Sequence, residues 1–123
     1  MDISIVGHFL PQGLLDYFTL TDVKELCKLK DKTVYFEINL EEHNKILGDI
    51  DASQYESKGF TEITLQDFPI RGKAVYLVIK RRRWRHKQNP GKVIRNDFSF
   101  VAEGSVLTKE LSDFLKGTGR YQD

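Results

Sequence analysis

The sequence predicts an α+β fold of antiparallel β hairpins, with a short N-terminal helix and a C-terminal helix packed on the sheet. Runs of β-branched and aromatic residues alternate with polar ones, turn signals separate these runs, and leucines recur at helical spacing near the end. We count about five strands, including a three-stranded meander. At 123 residues, 40% hydrophobic and 30% charged, the chain should form a single domain, 1–123, with its own core.

The first subregion, residues 1–40, predicts a helix followed by a hairpin. Apolar residues from Leu10 to Phe18 recur at near-helical spacing after Pro11, which a first helical turn tolerates. The runs FTLTDVKELCKL and TVYFEINL are typical of strands, and the polar KDK between them suits a turn. In the second run apolar and polar residues alternate, so one strand face should be buried and the other wet.

Residues 41–59 are acidic and polar without a sustained period, which predicts a loop or linker. Residues 60–123 then predict the meander and the closing helix. FTEITLQDFPI and KAVYLVIKRRRWR should form a hairpin that turns at 71–73, with Pro69 ending its first strand, and KVIRNDFSFVA should add a third strand. The closing helix should be capped by Ser105 or Thr108 and stopped by Gly117. Its apolar face is Leu107, Leu111, Phe114 and Leu115.

The charge distribution is more informative than the formal net charge of +1. Residues 1–67 hold 6 Lys/Arg and 13 Asp/Glu, a net of −7, whereas residues 68–95 hold 10 basic residues and no acidic one. Residues 96–123 hold 3 basic and 5 acidic residues, a net of −2. More than half of the positive charge therefore lies in one acid-free segment, which predicts a strong local field.

The strand that begins near Val75 carries this charge beyond its apolar centre. Alternation places Arg81, Arg83 and Arg85 on one face. It places Lys80, Arg82, Trp84 and His86 on the other face. Both faces are charged, so we expect the strand to run from the core into solvent as part of a basic β-ribbon.

Such a ribbon suits nucleic acid, because a two-stranded ribbon fits the major groove and Lys/Arg side chains neutralise phosphates with release of counterions. We expect double-stranded DNA to be the partner. The predicted nucleic-acid-binding residues are Arg71, Lys73, Lys80, Arg81, Arg82, Arg83, Trp84, Arg85, Lys87, Lys92 and Arg95.

Four alternatives compete with this interpretation, and one of them, a nuclear-import signal, is excluded only for a prokaryotic source. The run can be a strand end that its charges protect against aggregation. Trp84 taken singly favours packing over base stacking, since aromatic residues in strands usually pack. Contact between the basic strand and the acidic residues of 41–56 would favour intramolecular neutralisation over DNA.

Other chemistry is weakly indicated. Cys27 is the single cysteine, and no Cys/His spacing suits zinc, so we predict no metal site, no cofactor and a reducing compartment. His8, His43 and His86 match no triad or ligand spacing, so we predict no catalytic residue and no enzyme activity. The sequence shows neither a basic leader nor an apolar run of membrane-spanning length, so we expect a cytoplasmic protein without a membrane partner.

Residues 57–116 resemble the N-terminal region of bacterial insertion-sequence transposases of the ISAon type. The resemblance rests on ITLQDFPIRGK, on KRRRW, on VIRNDF after a short turn, and on AEGSVLTKEL. It extends more loosely over HFLPQGLLDYFTL and TVYFEINLEE. A wider group of transposases carries cysteines of a zinc ribbon beside the basic strand. Here Trp84 and Arg85 stand in that neighbourhood, so a zinc site is not implied.

The resemblance implies a module that binds or positions element ends. Full transposases of this kind continue into a catalytic domain whose carboxylates hold two metal ions, whereas this sequence ends at Asp123. We therefore expect a part without catalytic chemistry: one half of a split reading frame, a remnant, or a regulator. The alternative is a protein-interaction module that docks a separate catalytic transposase chain or forms a homodimer.

Overall fold

The structure is a computed structural model that describes residues 3–11, 13–98, 108–111 and 113. A mainly β architecture with few helices agrees coarsely with the predicted class. The described residues form five strands: β1 Phe18–Cys27, β2 Val34–Glu42, β3 Tyr55–Ile70, β4 Lys73–His86 and β5 Val93–Ile94. Before them lie a short α-helix, Ile3–Val6, and two 3-10 turns, Gly7–Phe9 and Leu14–Asp16.

The helix predicted after Pro11 is reduced to the single 3-10 turn at Leu14. Gly13 precedes this turn with a positive φ of 81°, a conformation that glycine adopts without steric cost but that does not continue a helix. Within the described residues, the α-helix of this region instead lies earlier, at Ile3–Val6. The segment before β1 still covers the core, because its residues Val6 and Leu14 are buried there.

The sheet is mixed, with the order β1-β2-β4-β3 and β5 paired to β4. The pairs β1–β2, β3–β4 and β4–β5 are antiparallel, but β2 runs parallel to β4 over Phe36↔Val75 to Glu41↔Lys80. The expectation of purely antiparallel hairpins is therefore wrong at the junction between the two hairpins. Because β2 and β4 are neighbours, β4 is a central strand with partners on both edges.

The core lies on one face of this sheet. The alternation predicted in β2 and β4 is confirmed over residues 36–42 and 75–79, where every second residue is buried. Phe18 closes the core from β1 and Leu65 contributes from β3. Six buried apolar residues of the two central strands belong to this core, namely Phe36, Ile38, Leu40, Val75, Leu77 and Ile79.

The acidic linker is shorter than predicted, because β2 continues to Glu42 and β3 already begins at Tyr55. Pro69 does not end β3. The strand continues to Ile70 across a register irregularity between Asp67 and Ile70, the type of position at which a strand accepts proline. The turn itself lies at Arg71 and Gly72, as the sequence predicts, and both residues have positive φ.

The third strand of the predicted meander is present only as β5, two residues long, and residues 99–102 of that prediction lie outside the described residues. In the closing segment, residues 109–111 and 113 are helical. The Thr108 hydroxyl accepts a hydrogen bond of 3.3 Å from the backbone N–H of Leu111, as a helix cap does. The predicted positions Ser105, Leu107, Phe114, Leu115 and Gly117 lie outside the described residues.

Candidate nucleic-acid interface

The outer half of β4 has a gap along one of its edges. Pairing with β2 ends at Lys80, and pairing with β5 begins at Trp84, so no strand of the described residues borders 81–83 on that side. The Glu42 carboxylate fills this gap, because its Oε1 accepts the backbone N–H of Arg82 at 2.9 Å. A side chain thus replaces the missing strand and satisfies a donor that would otherwise be buried without a partner.

Glu42 and Asn96 form a buried polar pair beside this gap, with exposed fractions of 2% and 6%. The Asn96 amide donates to Glu42 Oε2 at 2.8 Å and to the Lys45 carbonyl at 2.9 Å, and its oxygen accepts the Leu47 N–H at 2.9 Å. Burial raises the pKa of the Glu42 carboxyl, although hydrogen bonds from Arg82 and Asn96 act in the opposite direction. Sequence analysis included Glu42 only as one of the acidic residues of 41–56 and missed Asn96, since neither stands in a local motif.

Arg81, Arg83 and Arg85 share the face that continues the apolar core, as alternation predicts. The Arg81 guanidinium donates to the Asn96 carbonyl, and Arg85 pairs with Glu56 at 2.8 Å. Within the part of the chain that the structure describes, the Arg83 side chain has no hydrogen-bond or ion-pair partner. The buried Nε atoms of Arg81 and Arg83 are both unpaired. We call Arg81, Arg83 and Arg85 the arginine row.

Gly59 of β3 lies directly opposite Arg83. Its φ is 112°, and a Cβ built there has nothing within 4 Å, so the sheet surface beside Arg83 is open. The register of β3 shifts between Ser57 and Gly59, which accounts for the unusual backbone at this point. The centre of the arginine row is therefore half-buried by its neighbours but open on the Gly59 side.

Arg82 lies on the opposite face and is held by the protein itself. Its guanidinium donates to Ser57 Oγ at 2.8 Å and to the Glu42 carbonyl at 3.3 Å. It also lies 4.5 Å from the centre of the Phe60 ring and 3.8 Å from the Glu41 carboxylate. These contacts leave little of the guanidinium for another partner.

Trp84 is a packed residue and offers no face for base stacking. It is 2% exposed, and its indole Nε1 donates a hydrogen bond of 2.8 Å to Asn44 Oδ1. Packing was the alternative that the sequence favoured for this residue taken singly. Its burial weighs against base stacking, and direct contact of Trp84 with nucleic acid stays a prediction.

The contacts of Arg82 and Arg85 favour intramolecular neutralisation of the basic strand. Both side chains reach carboxylates within 41–56, namely Glu41 and Glu56. The Arg85 hydrogen bond and charge hold the pKa of the Glu56 carboxyl below its usual range. This observation weighs against DNA for these two arginines. It does not extend to Arg83, for which the described residues supply no carboxylate.

Apart from Lys80, the remaining predicted residues fall into two groups at opposite ends of β4. Lys87 and Lys92 are exposed where the chain turns from β4 into β5, Arg95 follows β5, and Lys80 is exposed at mid-strand. Arg71 and Lys73 lie at the other end, and 14 residues at about 3.3 Å each separate the ends by about 45 Å. The eleven predicted residues therefore do not form one compact patch.

Sequence analysis also missed basic residues beside Arg71. The turn between β1 and β2 carries Lys28, Lys30 and Lys32, and the pairing of β2 with β4 brings this turn next to the β3–β4 turn. Lys73 there lies 3.9 Å from Glu25 of β1. The charge count assigned these lysines to the acidic part of the chain, and only strand order reveals their neighbourhood.

Comparison of the chain with protein-family models, with curated proteins and with solved structures finds no match. Among the described residues, no group of three His, Cys, Asp or Glu side chains is arranged to hold a metal ion. The helices of the described ranges include none that is both long and apolar enough to cross a membrane.

Proposed function

We propose that the chain is a DNA-binding module of an insertion-sequence transposase, one that positions element ends and has no catalytic activity of its own. The observation that carries this proposal is Arg83. It is half-buried between Arg81 and Arg85, lacks a carboxylate partner among the described residues, and borders the open surface at Gly59. The resemblance of residues 57–116 to transposase N-terminal regions indicates that the polyanionic partner is DNA.

Without a ligand, the arrangement of the arginine row lowers the stability of the fold. Three guanidinium groups alternate along one strand face, so they repel one another and lose part of their hydration. A buried donor without a partner costs about 1–3 kcal/mol, and the Nε atoms of Arg81 and Arg83 are two such donors. A phosphate group offers both the charge and the acceptor oxygens that the row lacks.

The proposed contact surface is narrower than the sequence prediction. Arg83 forms its centre, with Arg81 and Arg85 beside it and Lys87, Lys92 and Arg95 at the outer end of β4, whereas Lys80 lies on the opposite face. Arg82 and Trp84 lie on the other face of β4 and are not part of this surface. Arg71 and Lys73 would contact DNA only as a separate group, since about 45 Å of strand lies between the ends.

The test is fluorescence anisotropy with terminal-repeat and scrambled duplexes over a range of salt concentrations. Arg83→Gln should weaken binding and reduce the slope of log affinity against log salt by about one, the value for one lost phosphate contact. Lys24→Gln on β1 removes the same charge away from the row and is the matched control. No measurable binding of either duplex, even at about 50 mM salt, would contradict the proposal.

The second candidate is a docking module for a separate catalytic transposase chain or for a second copy of itself. The neutralisation of Arg82 and Arg85 within the chain favours it, as does the position of β1 and β3 at the two edges of the sheet. Size-exclusion chromatography with the catalytic polypeptide, after nuclease treatment, separates the candidates. Co-elution without DNA would favour docking. Either role places the chain with bacterial DNA, and hence in the cytoplasm.

A further inference from the structure

A cleft beside Trp84 lies on the face of the sheet opposite the arginine row. Its volume is about 200 Å³, and it is lined by Asn44, Lys45, Ile46, Ala52, Tyr55 and Trp84. Tyr55 forms an aromatic wall, and the Trp84 indole is a buried floor. The Lys92 ammonium lies 5.9 Å from the centre of the Tyr55 ring, so positive charge borders the cleft. The described lining contains no carboxylate.

The hydrogen bond to Trp84 fixes the orientation of the Asn44 amide. An indole N–H is a donor only, so the amide must present its oxygen to Nε1. The two N–H donors of Asn44 are then directed away from the indole. An exposed amide that is held in this way can donate to an acceptor on a planar ligand, and its orientation is fixed before the ligand binds.

We propose that this cleft binds one unpaired nucleobase of the DNA. An aromatic wall suits the face of a base, amide donors suit its ring-nitrogen and carbonyl acceptors, and the bordering lysines suit the flanking phosphates. The volume fits a single planar ring system, smaller than the usual pockets for drug-sized ligands. The inference rests on the proposed function and deepens it: the module distinguishes DNA with an extrahelical base from a fully paired duplex.

The single tryptophan of the chain reports directly on this cleft, since Trp84 is its floor. The experiment uses the full chain and three duplexes: one fully paired, one with a bulged adenine, and one with an abasic residue at the bulge. Binding is followed by anisotropy and by Trp84 emission. We expect the bulged adenine to bind roughly five- to hundredfold tighter than the abasic residue, the range for one stacked base. Only the adenine duplex should change Trp84 emission.

Equal affinity for the adenine and abasic duplexes, with unchanged emission, would overturn the nucleobase site and leave DNA binding intact. An emission change that both bulged duplexes produce would also overturn it, because the cleft would then respond to the backbone. Absence of binding to all three duplexes would overturn the proposed function together with this inference.

Two variants separate a specific site from a general effect of charge. Asn44→Asp keeps the acceptor for the indole and removes the amide donors, so the affinity ratio of adenine to abasic duplex should fall to about one. Asn89→Asp, in the turn after β4, adds the same charge outside the cleft lining. It should weaken all duplexes and leave the ratio unchanged. A ratio that survives in Asn44→Asp would contradict the role of Asn44.

Discussion

The side-chain amide of Asn96 donates a hydrogen bond of 2.8 Å to Oε2 of Glu42, 54 positions earlier in the sequence. Glu42 in turn accepts the backbone N–H of Arg82 through its other oxygen. The pair thereby fixes the end of β2 and the segment after β5 to the middle of β4. The geometry of the arginine row depends on this buried contact.

Glu42 should make the stability of the fold depend on pH. Its pKa is raised by burial, so the folded state holds the proton more tightly than the unfolded state does. The free energy of unfolding should therefore fall as pH rises from the ordinary value of 4.5 through the folded pKa. Asp67 should act in the same direction, since burial raises its pKa too.

Glu42→Gln should flatten this pH dependence, because glutamine does not titrate. Urea unfolding at a series of pH values measures it. Glu62→Gln, which removes an exposed carboxyl of β3, is the control and should keep the wild-type profile. A profile that rises towards neutral pH, or one that Glu42→Gln leaves as steep as before, would contradict the prediction.

Thr108 should stabilise the junction between β3 and the closing segment. Its hydroxyl donates to the buried Asp67 carboxylate at 2.9 Å and accepts the Leu111 N–H at 3.3 Å. Thr108→Val preserves the shape but removes both bonds, so we expect a loss of about 2 kcal/mol in urea unfolding. Thr108→Ser keeps the hydroxyl and should lose only about 1 kcal/mol with its methyl group. Equal losses would show that the hydrogen bonds are unimportant.

Gly59→Ala should destabilise the fold by about 1–2 kcal/mol through backbone strain. A Cβ at this position meets no atom within 4 Å, so steric clash with neighbours is not the cause. Gly91→Ala is the matched control, because its Cβ would make only an ordinary contact at 3.7 Å and no positive φ applies there. Thermal or urea unfolding of both variants measures the difference, and a neutral Gly59→Ala would contradict the assigned conformation.

Glu56→Gln should strengthen DNA binding, because it releases Arg85 from an exposed ion pair. The salt slope should increase by about one if Arg85 then contacts a phosphate. The unfolding midpoint should change little, since exposed pairs contribute little to stability. Asp22→Asn on β1 makes the same change in net charge away from the arginine row. An equal gain in affinity from both variants would indicate a general charge effect and not competition for Arg85.

The sequence predicted the strands better than it predicted their arrangement. Alternation identifies β2 and β4 because burial of one face has a local period of two. The parallel pairing of these strands has no local signal, since apolar stripes of this kind fit either direction. The reduced first helix is different: Gly13 was visible in the sequence, and its positive φ ended a pattern that spacing alone favoured.

The candidate site was likewise predictable from the sequence only in part. The arginine row was predictable, because strand alternation alone assigns its three members to one face. The acidic segment 41–56 was named as a possible partner, but the individual pairs were not predictable, since Glu56 lies 29 residues from Arg85 and Glu42 lies 40 residues from Arg82 of the opposite face. Trp84 illustrates the limit of local reasoning: its neighbours in sequence are charged, but its neighbour in space is the amide of Asn44.

The parallel contact between β2 and β4 has a consequence for synthesis on the ribosome. The β1–β2 hairpin leaves the exit tunnel before β4. The edge of β2 that pairs with β4 therefore has no partner until the residues up to Lys80 have been synthesised. At about 5–20 residues per second this interval is roughly 2–8 s. During that time the apolar stripe of β2 lacks its partner strand and is open to association with other nascent chains. Expression yield should therefore respond to translation speed between Glu42 and Lys80 more than to codon choice elsewhere.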